Sequence, residues 1–450
     1  MDTVLPFRAW RYSPEAGDAG LLVAPPYDVI GPELQSRLYA RSRYNVVRVD
    51  LGMTTPSDNY CDNRYTRAAS QLEQWKAAGV LVRDDVPTLT FVEEEFTGPD
   101  GRSRTRRGFL AAVRLHGLSE GVIHPHEQTF SGPKQDRFDL MEATSMSLSP
   151  VFLLYDLPGD EVAAAWSSRP DPGPPAAQVS DEDGNVTKLW PTSDPTLLDT
   201  VRRSLEHARF VIADGHHRYE TALRYRDHRR ERDSEAKGGV APNSTRAYEY
   251  VLAYLSNMAD PGLAIYGTHR LVAGIDPRKM TALQASLTGT FAVEPLTPAE
   301  PGAAGAREVI ERYLGDHPRG AFGVWAPALG GAYGLQLLDD QPLVAVTPDH
   351  SPAYRALDVT ILQKLILEPV LAIPSEGPEA ETLVTYFKDT NAAFERLEAG
   401  DFQAGFFMNP TGLDQVREVA FGGERMPQKA TFFYPKLPTG LVFHDLGGVL

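Results

Sequence analysis

The sequence predicts a mixed α/β protein with more than one domain. Its 450 residues exceed the length that a single hydrophobic core usually supports. Short apolar segments bounded by glycine, proline or charge alternate with segments whose apolar residues recur at helical spacing. The 38 glycines and 36 prolines follow no tandem repeat or collagen-like period, so we expect them to mark loops between these elements.

The predicted elements follow from spacing and from the residues that bound each segment. A helix is predicted from Tyr65 to Ala78, because its apolar residues keep helical spacing and Gly79 supplies a natural stop. Short apolar runs predict the strands 88–91, 109–115, 151–155, 210–213, 250–255 and 263–266. Helical spacing resumes at Tyr219, and the polar run from Asp227 to Asn243 predicts a long loop after that helix.

Three regions are predicted along the chain. Residues 1–115 form an N-terminal α/β region, residues 116–295 a phosphate-binding core, and residues 296–450 a C-terminal α/β domain. The second boundary falls in the stretch from about Leu296 to Gly305, where prolines and glycine precede a new helical pattern.

Charge and cysteine content narrow the function classes. With 44 basic and 60 acidic residues the net charge is −16, which argues against a general nucleic-acid binder, because such proteins cluster Lys and Arg against phosphates. Cys61 is the single cysteine, so an intrachain disulfide and a CxxC metal site are excluded and a reduced, cytoplasmic compartment is expected. No apolar stretch approaches the ~20 residues that span a bilayer, so a soluble protein without a membrane partner is expected.

The strongest chemical signal is a polar turn between an apolar strand and a helix, Asp214-Gly215-His216-His217-Arg218. Glycine lets the backbone approach a ligand, and the first amides of a helix are unpaired donors at its positive end. Arg218 can bind phosphate bidentately, and the histidines can move protons near neutral pH. The alternative is that the polar side chains only satisfy the hydrogen bonds of the turn itself. Five polar or glycine residues in a row nevertheless favour an anion-binding function.

A second polar cluster is the segment His124–Thr129, followed by Lys134 and Arg137. Glu127 is the predicted general base toward a hydroxyl, with a neighbouring histidine tuning it and the two cations neutralising phosphate. Two alternatives remain open. The histidines of this segment and of the polar turn are typical zinc or iron ligands, and the segment is also typical of a plain solvated loop.

The terminal run from Met426 to Leu437 places Lys429 and Lys436 on either side of an aromatic strand, with Thr431 between them. These lysines can reach phosphates, although an edge strand whose exposed lysines block aggregation is the commoner meaning of such a pattern. Both interpretations stay open.

Two further segments do not decide the function. Tyr27 and Asp28 lie in a stiff proline-rich turn, and Arg104, Arg106 and Arg107 form a basic run that predicts a solvated hairpin. The chain carries no Walker motif, Gly-x-Ser-x-Gly elbow, dinucleotide fingerprint or protein-kinase set.

Taken together, these segments resemble a known family. The matching segments are Ala24–Ile30, Tyr44-Asn45, Arg107–Phe109, His126–Thr129, Asp136-Arg137, Ala213–Thr221, Thr268–Arg270 and Met426–Lys429. They identify the chain as a member of the bacterial and archaeal domain of unknown function 1015 family. The polar turn also resembles the signature of the ParB/sulfiredoxin-like fold, and in particular of free serine kinases built on it, which phosphorylate free L-serine with a nucleotide donor. The resemblance implies a central ParB/sulfiredoxin-like mixed α/β core in residues 116–295.

The resemblance and the residue patterns together assign roles to individual residues. The residues assigned to nucleotide phosphates are Gly215, His216, His217, Arg218, Lys134, Arg137, Lys429 and Lys436. Those assigned to catalysis are Glu127 as base, His126, and Asp214, which is also the candidate ligand of Mg²⁺. Those assigned to the substrate are Tyr27, Asp28, Thr129, His269 and Arg270. One departure is visible, because the family usually has Lys-Ser-Thr where this chain has Lys429-Ala430-Thr431.

The predicted function is therefore transfer of a phosphoryl group from ATP or ADP, with Mg²⁺, to the hydroxyl of a small molecule, free L-serine or a related hydroxy amino acid. The expected partners are the nucleotide and that amino acid, and a homodimer is left open. Two rival functions are a ParB-like nucleotide-binding regulatory protein and a metal-dependent hydrolase or phosphatase. The acidic charge disfavours the first rival, and the second would use His124, His126, Glu127, His216 and His217.

Overall fold

The computed structural model describes residues 2–128, 132–169, 173–237, 246–329 and 331–450. The chain divides into two compact units. The first comprises Met1–Pro125, Thr129–Leu263 and Pro435–Leu450, and the second comprises His126–Gln128 and Ala264–Tyr434. Both units combine helices with sheets, which confirms the predicted mixed α/β class. The units are defined by contacts, whereas the regions 1–115, 116–295 and 296–450 follow motifs, and that division stays a prediction.

The first unit contains one large sheet, in which nine strands pair within the described residues. Eight of them lie in the spatial order Ile123–Pro125, Phe210–Asp214, Val151–Tyr155, Tyr250–Asn257, Ser103–Arg114, Leu89–Thr97, Val186–Thr192 and Ala177–Ser180, and Val4–Leu5 pairs with Ser103–Arg114. The first two strands are parallel to each other, as are the third and fourth, and the remaining pairs are antiparallel. The central strands are mostly apolar and almost fully buried, as expected for a sheet that is covered on both faces.

Helices and small strand pairs complete the first unit. Its helices are Ala19–Leu22, Pro32–Arg41, Val47–Asp50, Arg64–Ala77, Gly132–Thr144, Glu161–Ser167, Pro195–Leu205 and His216–Lys237, with short 3-10 turns at Pro14–Ala16, Tyr27–Val29 and Ala247–Glu249. Trp10–Tyr12 pairs with Leu81–Arg83, and Met146–Ser147 pairs with His444–Asp445. The helix predicted over 65–78 is confirmed, and Asn63 starts it by capping the amides of its first turn.

The loop predicted from Asp227 to Asn243 is wrong for its first part. The helix continues to Lys237, and residues 238–245 lie outside the described part of the chain. Polar contacts with other elements hold this stretch, since Arg230 pairs with Glu249 at 2.5 Å and His228 lies 3.2 Å from Glu142. A helical stretch without an apolar stripe persists when its polar side chains contact such partners.

The solvated hairpin predicted for the arginine run is wrong for Arg106. Its side chain is fully buried, and it donates to Glu94 at 2.7 Å and to the carbonyl of Pro435 at 2.8 Å. Arg104 pairs with Asp100, and Arg107 pairs with the partly exposed Glu93 on the neighbouring strand, as expected for a surface hairpin. The period of two along a strand places Arg107 on the opposite face from Arg106, whereas Arg104 shares the face of Arg106 but lies beside the hairpin turn.

The second unit is built on an antiparallel sheet. Its strands lie in the order Phe291–Leu296, Gly331–Leu337, Ala321–Ala326, Ala404–Met408, His269–Val272 and Val384–Phe387. A separate pair joins Ala264–Tyr266 to Phe432–Tyr434. The helices are Pro277–Leu287, Ala303–Asp316, Gln341–Val346, Pro352–Arg355, Asp358–Leu362, Pro378–Leu383, Thr390–Glu398 and Leu413–Phe421. A short π-helix lies at Gln363–Leu367 and a 3-10 turn at Pro327–Leu329.

The core of this unit lies where Ala303–Asp316 and Thr390–Glu398 pack on the sheet, burying Ile310, Phe394 and Phe407. The stretch from Leu296 to Gly305 lies inside this unit, between a strand and a helix. Across the described part of the chain, none of the helices has both the length and the apolar composition needed to cross a membrane.

Candidate functional site

The polar turn joins the strand Phe210–Asp214 to the helix His216–Lys237 through a single glycine. Gly215 has a φ of +88°, and a Cβ there would lie 2.8 Å from Nε of Arg218. Both the backbone conformation and the close approach of the guanidinium therefore require glycine. The turn closes directly onto the helix, because the amide of Tyr219 donates to the Gly215 carbonyl at 2.9 Å.

Asp214 holds two cations at this turn. Arg218 donates from Nη2 to Oδ2 of Asp214 at 2.8 Å, and Nζ of Lys436 donates to Oδ1. Burial alone would raise the pKa of Asp214, but Lys436 and Arg218 outweigh it and hold that pKa well below its ordinary value. Burial likewise opposes the charge on Lys436, yet Asp214 raises its pKa. The interpretation of Lys436 as an exposed edge lysine is therefore wrong, because its side chain is only 20% exposed and paired.

Arg137 lies between two carboxylates in the same unit. Its guanidinium pairs with Asp50 at 3.1 Å and with Asp136 at 2.5 Å, and it stacks 4.2 Å above the ring of Tyr27. Burial lowers the pKa of Arg137, whereas Asp50 and Asp136 raise it above its ordinary value. Arg137 thus has its charge balanced within the protein and its plane fixed against Tyr27.

A small cleft connects these groups. Asp50, Arg137 and Arg218 line a space of about 400 Å³, open solvent included, together with the hydroxyl-bearing side chains of Ser147, Ser149 and Thr221. Burial raises the pKa of Tyr27, and the charges of Arg218 and Arg137 oppose that increase.

The sequence predicts most of this network but not Asp50. Its members named from the sequence are Tyr27, Asp28, Arg137, Asp214, Arg218 and Lys436, and Asp28 acts electrostatically on Lys436. Asp50 is buried at the end of the short helix Val47–Asp50, whose two valines are also buried. An acidic residue that follows alternating valines is a local signal that could have indicated it.

Three other predicted phosphate ligands of the first unit lie on the helices Gly132–Thr144 and His216–Lys237. His216 is buried and its charge favours ionised Asp214, while His217 is half-buried. Lys134 pairs with Glu220 and so bridges the helix Gly132–Thr144 to the helix of the turn. Direct phosphate contact by these three residues stays a prediction.

In the second unit, His126 and Glu127, the His-Glu segment, contact the terminal run. His126 is fully buried, and its Nε2 lies 2.7 Å from Oγ1 of Thr431. The carboxylate of Glu127 accepts the backbone N–H of Lys429, whose φ is +56°. The carbonyl of His126 accepts the amide of Met426 at 2.7 Å. Residues some 300 positions apart are therefore brought together, which no local pattern in the sequence indicates.

The predicted substrate residues His269 and Arg270 lie at the start of the strand His269–Val272. Burial, with a contribution from Arg270, lowers the pKa of His269 to about 4, so its ring is neutral at pH 7, and Nε2 lies 3.0 Å from Oγ1 of Thr390. Arg270 donates to the carbonyl of Lys429 at 3.1 Å. Thr129, the remaining predicted substrate residue, lies outside the described residues.

Each oxygen of Asp214 accepts from a cation, and its role as a ligand of Mg²⁺ stays a prediction. Within the described residues, no group of three or more His, Cys, Asp and Glu side chains is arranged to hold a metal ion. The ring of His124 contacts the carbonyl of Gly121 at 3.1 Å.

Comparison with protein families decides the membership of this chain. The family model described as protein of unknown function (DUF1015) matches residues 4–360. The chain belongs to the DUF1015 family. This confirms the family predicted from the motifs. The matched region contains the polar turn, the His-Glu segment and the Thr268–Arg270 segment, whereas the terminal run with Lys436 lies beyond it.

Several solved structures resemble this DUF1015 chain at a distance. A conserved hypothetical protein from Pyrococcus furiosus is 15% identical, with a TM-score of 0.33 over 75% of this chain and 95% of that one. A free serine kinase variant in complex with ADP is 13% identical, with a TM-score of 0.34 over 75% and 91%. SbnI from Staphylococcus aureus, truncated at its C-terminus, is 11% identical, with a TM-score of 0.33 over 76% and 87%. Likenesses this distant do not assign an activity, and comparison with curated proteins returned no match.

Proposed function

We propose that this DUF1015 protein is a kinase that transfers a phosphoryl group from ATP or ADP to the hydroxyl of a small molecule, free L-serine or a related hydroxy amino acid. One observation carries the proposal. A glycine with φ of +88° opens a 22-residue helix, and Arg218 and Lys436 are held beside it by Asp214. The amides at a helix N-terminus, the positive end of its dipole and two oriented cations together suit a nucleotide phosphate.

The reaction requires little covalent chemistry from the protein. The acceptor oxygen forms a bond to the terminal phosphorus, the bond from phosphorus to the leaving nucleotide breaks, and the hydroxyl proton passes to a carboxylate. Arg218 and Lys436 would neutralise the charge on the phosphates, and Asp214 would keep both cations oriented. Glu127 is the proposed base, following the sequence prediction. Magnesium would enter on the phosphates of the nucleotide, as it commonly does in phosphoryl transfer.

The proposal is tested by finding what gains a phosphate. The purified protein is incubated with Mg²⁺, either ATP or ADP, and a pool of hydroxylated metabolites, and the products are measured by mass spectrometry together with inorganic phosphate. We expect phosphoserine, or the phosphate ester of a related hydroxy amino acid, to accumulate with one nucleotide consumed per ester formed. Release of inorganic phosphate without any ester would favour a hydrolase and overturn the proposal.

A further inference from the structure

Arg270 is a buried cation whose contacts differ from those of the other buried arginines. Its side chain is 4% exposed and donates to the carbonyls of Thr268 and Lys429 and to Sδ of Met408, and its guanidinium lies 5.3 Å from the ring centre of Tyr386. Among the residues that the structure describes, no carboxylate oxygen lies within 4.0 Å of its nitrogens. A guanidinium carries five N–H donors, so these three contacts leave part of its capacity for a ligand.

A buried charge without a counter-ion is costly. Burial lowers the pKa of Arg270 to about 10, although the charges of Tyr386 and Glu127 act in the opposite direction. A neutral donor would satisfy two carbonyl oxygens and a thioether with less desolvation. The guanidinium is therefore better explained by an anion that arrives with a ligand than by its contacts within the protein.

The surroundings of Arg270 define that anion. Lys429 accepts from Arg270 through its carbonyl and donates to Glu127 through its N–H, so the guanidinium and the carboxylate both contact this residue and do not pair with each other. A ligand between them needs an anionic group for Arg270 and a protic group for Glu127. A hydroxy acid has both, separated by two or three bonds. A phosphate dianion fits less well, because Glu127 would repel its second charge.

We infer that Arg270 binds the carboxylate of the phosphoryl acceptor and so selects hydroxy acids over analogues without a carboxylate. This inference rests on the proposed function and assigns the residue that determines its substrate specificity. The ring of Tyr386 lies against the guanidinium, so an incoming carboxylate is directed to the edge of the guanidinium plane, where its N–H groups point.

The wild-type protein can test this without any substitution. L-serine and glycerate carry the carboxylate, whereas L-serinamide and 2-amino-1,3-propanediol keep the hydroxyl and lack the carboxylate. We expect kcat/KM for the two analogues without a carboxylate to be about 10- to 100-fold lower, the range expected for loss of a charge-assisted contact. Equal use of L-serine and L-serinamide would overturn the inference and leave the kinase function standing. If no acceptor gains a phosphate, the proposed function fails, and calorimetry of L-serine against L-serinamide then decides the inference: equal binding, or none, overturns it.

Substitutions then assign the discrimination to one side chain. Arg270→Gln should bring the ratio of L-serine to L-serinamide turnover close to one, whereas Arg270→Lys should keep part of it. Arg312→Gln is the matched control, because that arginine is exposed on a helix of the same unit and pairs only with Glu308. Thermal unfolding reports whether each variant is folded. A folded Arg270→Gln protein with unchanged discrimination would overturn the inference, and if it does not fold, the wild-type acceptor series decides.

Discussion

The two units differ in how they balance the charge of a buried cation. In the first unit, Arg218 and Lys436 share Asp214, and Arg137 has Asp50 and a second aspartate. In the second unit, Arg270 is held by carbonyls, a thioether and a ring. The first arrangement orients its cations before any ligand arrives, and the second leaves a charge to be balanced by one. Pre-orientation suits a nucleotide phosphate, whereas an unbalanced guanidinium suits an acid that must be distinguished from analogues without a carboxylate.

The largest effect is expected from the base. Glu127→Gln keeps an oxygen that can accept the N–H of Lys429 but cannot take a proton, so kcat should fall by about 10²- to 10⁴-fold. Nucleotide affinity, measured by calorimetry, should change little. Glu308→Gln, an exposed glutamate of the same unit, serves as the control. Unchanged turnover in the Glu127 variant would remove this residue from the mechanism.

The next effect tests the charge balance of the first unit. Asp214→Asn leaves Arg218 and Lys436 without their shared carboxylate, and should lower the free energy of unfolding by about 2–3 kcal/mol. The estimate is below that of a fully buried pair because the three side chains keep 12–23% exposure. Urea denaturation measures it, with the exposed Asp199→Asn as control. A loss no larger than in the control would mean that Asp214 does not hold the two cations together.

The same variant has a defined pH dependence. The pKa of Asp214 is lower in the folded protein than in the unfolded chain, so its stabilising effect is complete above the unfolded value of about 4 and is lost as the pH falls toward the folded value. The difference in unfolding free energy between wild type and Asp214→Asn should therefore be constant from pH 7 to about 5 and shrink at lower pH. A difference that grows on acidification would contradict this pairing.

A smaller effect is expected for nucleotide binding. Arg218→Ala removes one of the two cations at the turn and keeps Lys436, so the dissociation constant for the nucleotide should rise by about 10- to 30-fold. Arg224→Ala is a matched control two turns further along the same helix, where the side chain is exposed and bonds to Gln135. Wild-type affinity in the Arg218 variant would exclude this arginine from the phosphate site.

The sequence predicts what is local and misses what depends on distant partners. The turn at Gly215 was predictable, because a strand, a glycine and the start of a helix follow one another directly. Arg106 was not, since its carboxylate partner lies on the neighbouring strand and the carbonyl it binds, that of Pro435, comes 329 positions later. The length of the helix His216–Lys237 was underestimated because Arg230 pairs with Glu249, which follows the end of that helix in the chain. Likewise, nothing local places Lys436 beside the turn or Lys429 beside Glu127.

The smallest effect on stability is expected for Asp50→Asn. This variant distinguishes a cation that has two carboxylates, Arg137, from a carboxylate that holds two cations, Asp214. Asp50→Asn removes one of two carboxylates from Arg137, which keeps Asp136, so the guanidinium is not left unpaired. Burial raises the pKa of Asp50, which means that its charge is unfavourable in the folded protein and that asparagine relieves part of this cost. The two effects oppose each other, and the free energy of unfolding at pH 7 should change by less than about 1 kcal/mol. A loss as large as that for Asp214→Asn would show that Arg137 depends on Asp50 alone, and the first unit would then hold its cations by single, irreplaceable partners.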